Sequence, residues 1–382
     1  MQNLHIFSDS LGYYTIETIK KFEAVNEGNN LYLNLRKCNK YSSEKLLIFD
    51  ARSKEIDEYL NNLVGIKRLY LHFYTPKTIR LIKLLKANFP TLKVFWMFWS
   101  GEFYSLPANY KNILMPYAYK FYKFSKLRML SILAIPYDLI FRKPLFFNKM
   151  GFHKLSYYHY NLVDYFCCLL DSDYKNVINE SNAKMKHLRF AYLSLEQTFE
   201  GFDINSKMSN GNKIMVGHAA ALEDNHYEVL KTLSDIKIDN TLVIPLSYGI
   251  PSYKRALIDF ANHTFPNQIE IIDKLLTKED YYNKLSEVGF CIMNLKIQQG
   301  IGNLIGLLWL GVKVFLPEKS PLYVDFKEWG LFVYSIEFDM QLSDSFKTKL
   351  STEQVEHNRN LLQIKVGKKV IDDYTLQILT KE

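Results

Sequence analysis

Phe290-Cys291-Ile292-Met293-Asn294, then Gln298-Gln299-Gly300-Ile301-Gly302-Asn303, then an apolar run to Leu310, read as a strand, a glycine turn and a helix. Glycines at such a turn let the backbone approach a ligand closely, and the free N–H groups of a first helical turn suit an anion such as a diphosphate. A short Gly-x-Gly also serves as a plain packing turn, so the spacing alone leaves both readings open. A strand running into a helix is nevertheless the repeating unit of a parallel α/β sheet.

The same rhythm extends outward on both sides. Ile214 to Val216, Thr241 to Pro245, Ile269 to Ile272 and Val312 to Leu316 read as strands; Asn225 to Leu233, Ser252 to Ala261, Lys278 to Leu285 and a last region after 350 read as helices. In the first hundred residues, strands at Leu4 to Phe7, Leu31 to Leu35, Leu46 to Phe49, Arg68 to His72 and Val94 to Trp99 alternate with helices at Thr15 to Val25, Ser53 to Leu63 and Lys77 to Asn88. The expectation is two Rossmann-like α/β domains facing each other across a cleft, residues 1–204 and 213–382, joined through the polar stretch 205–212. The last helix is free to pack back on the first domain.

The 382 residues, 48% hydrophobic and 23% charged, exclude a single small module and wholesale disorder. Cys38, Cys167, Cys168 and Cys291 make no CxxC pair, so neither a disulfide framework nor a cysteine metal site is expected, and a reducing cytosol fits best. The N-terminus reads as a first strand and not as a secretory signal. The most apolar stretches, 129–137 and 304–312, are about half the ~20 residues of a membrane span.

Forty-eight Lys and Arg against 40 Asp and Glu give a net charge of +8, and the whole surplus lies in residues 103–163, which hold nine basic side chains and one acid. The same stretch carries 16 of the 57 aromatic residues. A helix between Pro116 and Pro136 would display Lys120, Lys123, Lys126 and Arg128 beside aromatics, with Arg142 and Lys143 following. That mixture suits the interface of an anionic bilayer, where each cation contributes roughly 1 kcal/mol. An ordinary domain surface and a nucleic-acid patch use the same residue types; the localised patch favours the membrane, and no nucleic acid is expected as partner.

Several side chains sit at strand ends where a cleft would receive them. Gly217 and His218 follow the strand Ile214 to Val216, with Asn225 and His226 at the next helix start and Tyr248 past Pro245. Asp9, His72 and Glu102 stand just past or at strand ends of the first half, each placed as a general base and each equally able to be a cap or a satisfied polar group. Asp171-Ser172-Asp173 reads as the start of a helix in preference to a metal site.

Val216-Gly217, Asn225-His226, Val243-Ile244-Pro245, Tyr248 and above all Gln298-Gln299-Gly300-Ile301-Gly302 follow one another as in a known family. With Ser8-Asp9, His72 and Trp99-Ser100-Gly101-Glu102-Phe103-Tyr104, the chain resembles the bacterial 4-acetamido-4,6-dideoxygalactosyltransferases, the TDP-N-acetylfucosamine:lipid II N-acetylfucosaminyltransferases of enterobacterial common antigen synthesis. It departs from them in carrying Glu102 for an aspartate and His218 where an asparagine-serine pair begins, and residues 105–212 match poorly. The resemblance implies a GT-B glycosyltransferase needing no metal and no cofactor. A dTDP-sugar donor would lie on the C-terminal domain against Gly217, His218, Asn225, His226, Tyr248, Gln298, Gln299, Gly300, Ile301, Gly302 and Asn303. An undecaprenyl-diphosphate-linked saccharide would lie on the N-terminal, membrane-facing domain, its hydroxyl met by Asp9 or Glu102, with His72 as a third choice. The place implied is the inner face of the bacterial cytoplasmic membrane, held peripherally by an anionic surface. Two alternatives are a GT-B transferase using a UDP- or GDP-sugar on another polyprenyl-linked acceptor, and a non-catalytic nucleotide-sugar or nucleic-acid binding protein with the same shell.

Overall fold

The computed structural model describes residues 2–8, 12–35, 45–106, 109, 112–122, 157–200, 208–342 and 344–381. Asp9, Lys123, Lys126, Arg128, Arg142 and Lys143 lie outside these. The described chain forms two units, each built on its own sheet.

The first unit comprises the described residues of 1–107, 143–194 and 368–382. Its strands are β1 (Gln2–Phe7), β2 (Asn30–Asn34), β3 (Leu46–Ile48), β4 (Ile66–His72), β5 (Lys93–Met97), β6 (Tyr165–Cys168) and β7 (Lys186–Arg189). They lie in the order β3-β2-β1-β4-β5-β6-β7, every pairing parallel. Parallel strands need crossovers, which cover both faces of the sheet and bury both sets of alternating side chains. Leu4, Ile6, Leu69, Leu71, Val94 and Trp96 fill one face. Phe7, Tyr70, Phe95, Met97, Tyr165 and Cys167 fill the other, under Ile19 and Phe22 of helix Tyr13–Val25 and Ile378 and Leu379 of helix Lys368–Thr380.

The second unit comprises the described residues of 108–142 and 195–367. It holds β8 (Lys213–Val216), β9 (Leu242–Pro245), β10 (Ile269–Ile272), β11 (Val288–Ile292), β12 (Lys313–Leu316) and β13 (Tyr334–Ser335), all parallel, in the order β10-β9-β8-β11-β12-β13. In both sheets the order reverses beside the unit's first strand, between β1 and β4 and between β8 and β11. This is the doubly wound Rossmann order, whose ligands sit at the carboxyl ends of the strands beside that reversal. The helices between are started by local chemistry. Pro76 and Pro251 occupy first turns, where a missing N–H costs nothing, and the Ser53, Thr277 and Ser351 side chains accept the N–H three residues on.

Four features differ from the sequence expectation. The described chain lies in the first unit up to 106, in the second at 109 and 112–122, in the first at 157–194, in the second at 195–200, 208–342 and 344–367 and in the first again from 368, where the sequence suggests one crossing at 205–212. Residues 112–122, which lie within the basic aromatic stretch, pack in the second unit. Met115 N–H donates to Asn225 Oδ1 (2.7 Å), Tyr117 N–H donates to Glu228 Oε1 (2.7 Å), and the Phe121 ring meets Tyr253 at 5.2 Å. Of the helix expected from Pro116, residues 116–122 are helical, with Lys120 exposed. Strands β6, β7 and β13 and helix Pro321–Glu328 were not foreseen; β7, Lys-His-Leu-Arg, is an edge strand too polar to advertise itself.

Candidate active site

The carboxyl end of β11 leads into the Gln298 to Asn303 turn, and its neighbour β8 leads into Gly217-His218. Gly300 has φ +65 and precedes helix Ile301–Trp309, whose first residues are half-exposed. The N–H groups of Ile301, Gly302 and Asn303 lack intrahelical partners by the geometry of a helix start. A Cβ on Gly302 would meet nothing within 4 Å, so the space over this turn is open. Gln299 Oε1 is buried there without a hydrogen-bond partner among the described residues.

His218 lies against this turn. A Cβ on Gly300 would stand 3.3 Å from His218 Cγ, so the left-handed backbone and the approaching ring both require glycine there. His218 Nδ1–H donates to Asp224 Oδ1 at 2.8 Å, and the His218 backbone N–H donates to the same oxygen at 3.2 Å. Burial works against charge on the ring, but the Asp224 carboxylate outweighs it and raises the pKa above the ordinary 6.5. The exposed Tyr248 ring stands 6.4 Å from His218, its loop tied to the one after β8 by Ala220 N–H donating to Tyr248 O (2.8 Å).

Two residues expected to line the donor serve the protein itself. Asn225 is fully buried at φ +48; its Nδ2 lies 2.8 Å from Glu223 O and 2.9 Å from Asn294 O, and its Oδ1 takes Met115 N–H. His226 is buried behind Gly217, its Nδ1 3.2 Å from Tyr253 OH, and burial pulls its pKa down to about 4. Gly217, at φ +68, has no room for a side chain because a Cβ would stand 2.3 Å from His226 Nε2. Asp224, not among the residues expected at the site, is the one that holds His218. The signal was the six-residue spacing from His218, closed by the short turn Leu222–Asp224.

In the first unit, the reversal between β1 and β4 is closed by Ser8 Oγ donating to Phe73 O at 2.7 Å. Phe73 and Ser100 hold φ of +94 and +76, conformations that non-glycine residues adopt at a cost and that cluster at ligand sites. Glu102 is fully buried. Its Oε1 accepts from Trp96 Nε1 (2.8 Å) and Trp99 N–H (2.9 Å), and its Oε2 has no hydrogen-bond partner among the described residues. Burial pushes its pKa up to about 7 against those donors, a value suited to accepting a proton near neutrality.

His72 does not fit the role of base. It is fully buried, stacked on Phe7 at 4.2 Å, with Nε2 3.1 Å from His5 Nδ1 and Nδ1 3.4 Å from Tyr192 OH. Burial and the neighbouring His5 hold it neutral, with a pKa well below the ordinary value. Asp171 and Asp173 sit in the first turn of helix Asp171–Ser181, where the helix dipole favours acids. Asp171 pairs with Arg189, and Asp173 accepts from Tyr104 OH (2.7 Å).

Two open pockets of about 290 Å³ each lie elsewhere, one lined by Asn3, Asn26, Arg68 and Thr380, the other by Asn212, Lys237, Gln341 and Lys347. Both are at the amino-terminal edges of the sheets, the wrong end for a ligand of this fold. Among the described residues no helix is long and apolar enough to cross a membrane.

The sequence model of the 4-alpha-L-fucosyltransferase family, glycosyl transferase group 56, matches residues 166–359. The chain belongs to this family. The match takes in the whole β8 to β13 sheet, and with it Gly217, His218, Asp224 and the Gln298 to Asn303 turn. The transferase also shares its fold with solved structures over the full chain. A glycosyltransferase from Rickettsia africae is 12% identical, with 100% of this chain and 99% of that one covered and a TM-score of 0.61. Anabaena HepE, solved in complex with UDP and glucose, is 9% identical with both chains fully covered, at 0.59. The N-terminal domain of Candida albicans trehalose-6-phosphate phosphatase is 13% identical, covering 99% of this chain and 95% of that one, at 0.61. At these identities the likeness establishes the fold, two Rossmann-like units of GT-B type. Membership of the family makes the chain a glycosyltransferase.

Proposed function

We propose that the transferase moves a deoxyamino sugar of the N-acetylfucosamine kind from a dTDP-sugar to a hydroxyl of an undecaprenyl-diphosphate-linked saccharide in cell-surface polysaccharide synthesis. The observation that carries the donor half is the His218 ring lying against Gly300, beside an open helix start. The N–H groups of Ile301 to Asn303 and the His218 ring hold the diphosphate and stabilise the negative charge that develops on it as the bond to the sugar breaks. Gln298, Gln299 and the exposed Tyr248 line the same side. Asn225 and His226 hold the loop from behind.

The acceptor hydroxyl binds on the first unit. As its oxygen bonds to the sugar carbon, its proton passes to a carboxylate, and the nucleoside diphosphate leaves with the bonding electrons. Glu102 supports that role by its raised pKa and unpartnered Oε2, and Asp9, next to Ser8 at the end of β1, is the other candidate. The identity of sugar and lipid rests on the resemblance of Gln298 to Gly302. Peripheral binding to the inner face of the cytoplasmic membrane rests on the surplus of charge in 103–163, of which Lys120 is exposed.

Thermal-shift titration with dTDP-, UDP- and GDP-sugars tests the donor. Strongest stabilisation by the dTDP-sugar is expected, and strongest stabilisation by UDP or GDP would replace it. Transfer to undecaprenyl-diphosphate saccharide should be faster on anionic than on zwitterionic liposomes; equal rates would remove the membrane role.

A further inference from the structure

We propose that Asp224 and His218 form a proton-linked clamp on the donor. Asp224 holds His218 by Nδ1–H, and His218 Nε2–H donates to a diphosphate oxygen at the start of helix Ile301–Trp309, so that with both nitrogens donating the ring binds the donor as an imidazolium. This rests on the reading of that turn as the diphosphate site.

The geometry fixes the ring at Nδ1 and its backbone beside it, because one Asp224 oxygen receives both the Nδ1–H and the backbone N–H of His218. A carboxylate pinned in this way sets the ring orientation and the tautomer, and leaves Nε2 as the nitrogen free to bond a ligand. His218 is only 8% exposed, and its Nε2 has no partner among the described residues, while its ring lies over Gly300. Asp224 is fully buried and its Oδ2 is also without a partner. A buried carboxylate with so few donors is costly unless a cation faces it, and His218 in its protonated form supplies one.

The surrounding titratable groups leave the clamp in charge of its own proton. Glu223, beside Asp224, adds attraction for a positive ring. His226 is neutral near pH 7, so it does not compete. Cys291 and Tyr253, both coupled to Asp224, are kept protonated by burial, and Tyr248 contributes a ring 6.4 Å away. Affinity for the donor therefore holds below the His218 pKa and falls as pH rises through it, by up to tenfold per unit until the pKa of the bound form is reached.

The test is calorimetry from pH 6 to 9 with dTDP-glucose, UDP-glucose or GDP-mannose, whichever binds tightest; their diphosphates are diesters and do not titrate in this range. Wild-type affinity should fall at least about fivefold across the range. His218→Gln should bind weakly with a flat profile, and Asp224→Asn should move the fall to lower pH. Should Asp224→Asn not fold, the His218 ring proton, followed by NMR in the wild type, should titrate at higher pH with the nucleotide-sugar bound. A flat wild-type profile, or a His218 titration unmoved by ligand, overturns the clamp. Gly302→Val separates the two ideas: if it removes binding while the pH profile of the wild type is flat, the turn reading stands and the clamp falls, and if it leaves binding intact the turn reading falls first.

Discussion

Asn225 Oδ1 accepts the backbone N–H of Met115 across 2.7 Å, joining two stretches 110 residues apart in sequence within the second unit. The same side chain reaches Glu223 O and Asn294 O, so one asparagine links the basic aromatic stretch, the loop after β8 and the end of β11. Its left-handed backbone is one that asparagine tolerates well. Asn225→Ala removes the acceptor of a buried N–H and the donor to backbone carbonyls, and should lower stability by about 2–4 kcal/mol in urea titration. Asn225→Gly, which relieves the backbone but not the lost bonds, should lose a similar amount. Recovery by the glycine would mean that backbone conformation, and not these hydrogen bonds, governs this position.

Two glycines of the site should respond in opposite ways. Gly217→Ala drives a Cβ to within 2.3 Å of His226 Nε2 at a positive φ, in a place where the ring is held by Tyr253. A loss of at least about 2 kcal/mol is expected, seen as a lower Tm. Gly302→Ala enters open space in a first helical turn and should leave Tm unchanged or slightly raised while weakening nucleotide-sugar binding. A Gly302→Ala variant that loses stability instead would mark that residue as a packing glycine.

His72 should behave as a core residue. His72→Phe keeps an aromatic ring, a larger one, but leaves His5 Nδ1 without its partner and removes one from Tyr192 OH, which still donates to Met97 O. A stability loss of about 1–3 kcal/mol with kcat within threefold of wild type, measured well below Tm, is expected. A kcat loss of a hundredfold in a folded variant would restore His72 as a base.

His72 also marks where sequence legibility ends. Alternation along β4 was readable, and it places His72 on the side of Tyr70. What was not readable is that this side is closed by a helix starting at Lys368, some three hundred residues later, so a strand-end histidine turns inward to a core and not outward to a ligand. The Gln298 to Asn303 turn was legible because strand, glycines and helix are contiguous and all the information is local. Residues 112–122 misled for the opposite reason. They precede β6 in the chain and share no pattern with β8 to β13, so nothing local ties them to Asn225, Glu228 and Tyr253. Asp224 was hidden in the same way, by a turn that only the folded loop closes onto His218.

Glu102 offers a test in which stability and rate are read separately. Its pKa stands near 7 in the folded chain against an ordinary 4.5, so the folded state binds the proton more tightly. The stability it contributes is complete below pH 4.5 and is lost as pH rises to 7, by up to about 3 kcal/mol. Glu102→Gln removes this dependence while keeping an acceptor for Trp96 Nε1 and Trp99 N–H. The Tm difference between variant and wild type should therefore move in the variant's favour from pH 5 to pH 8, a result that depends on burial alone. The rate then decides the chemistry. If Glu102 accepts the acceptor's proton, the variant loses at least about tenfold in kcat, and the wild-type rate rises with pH through about 7 as the carboxylate forms. A variant that gains stability at pH 8 yet keeps its rate leaves Glu102 holding the Trp99 turn in place and moves the proton to Asp9.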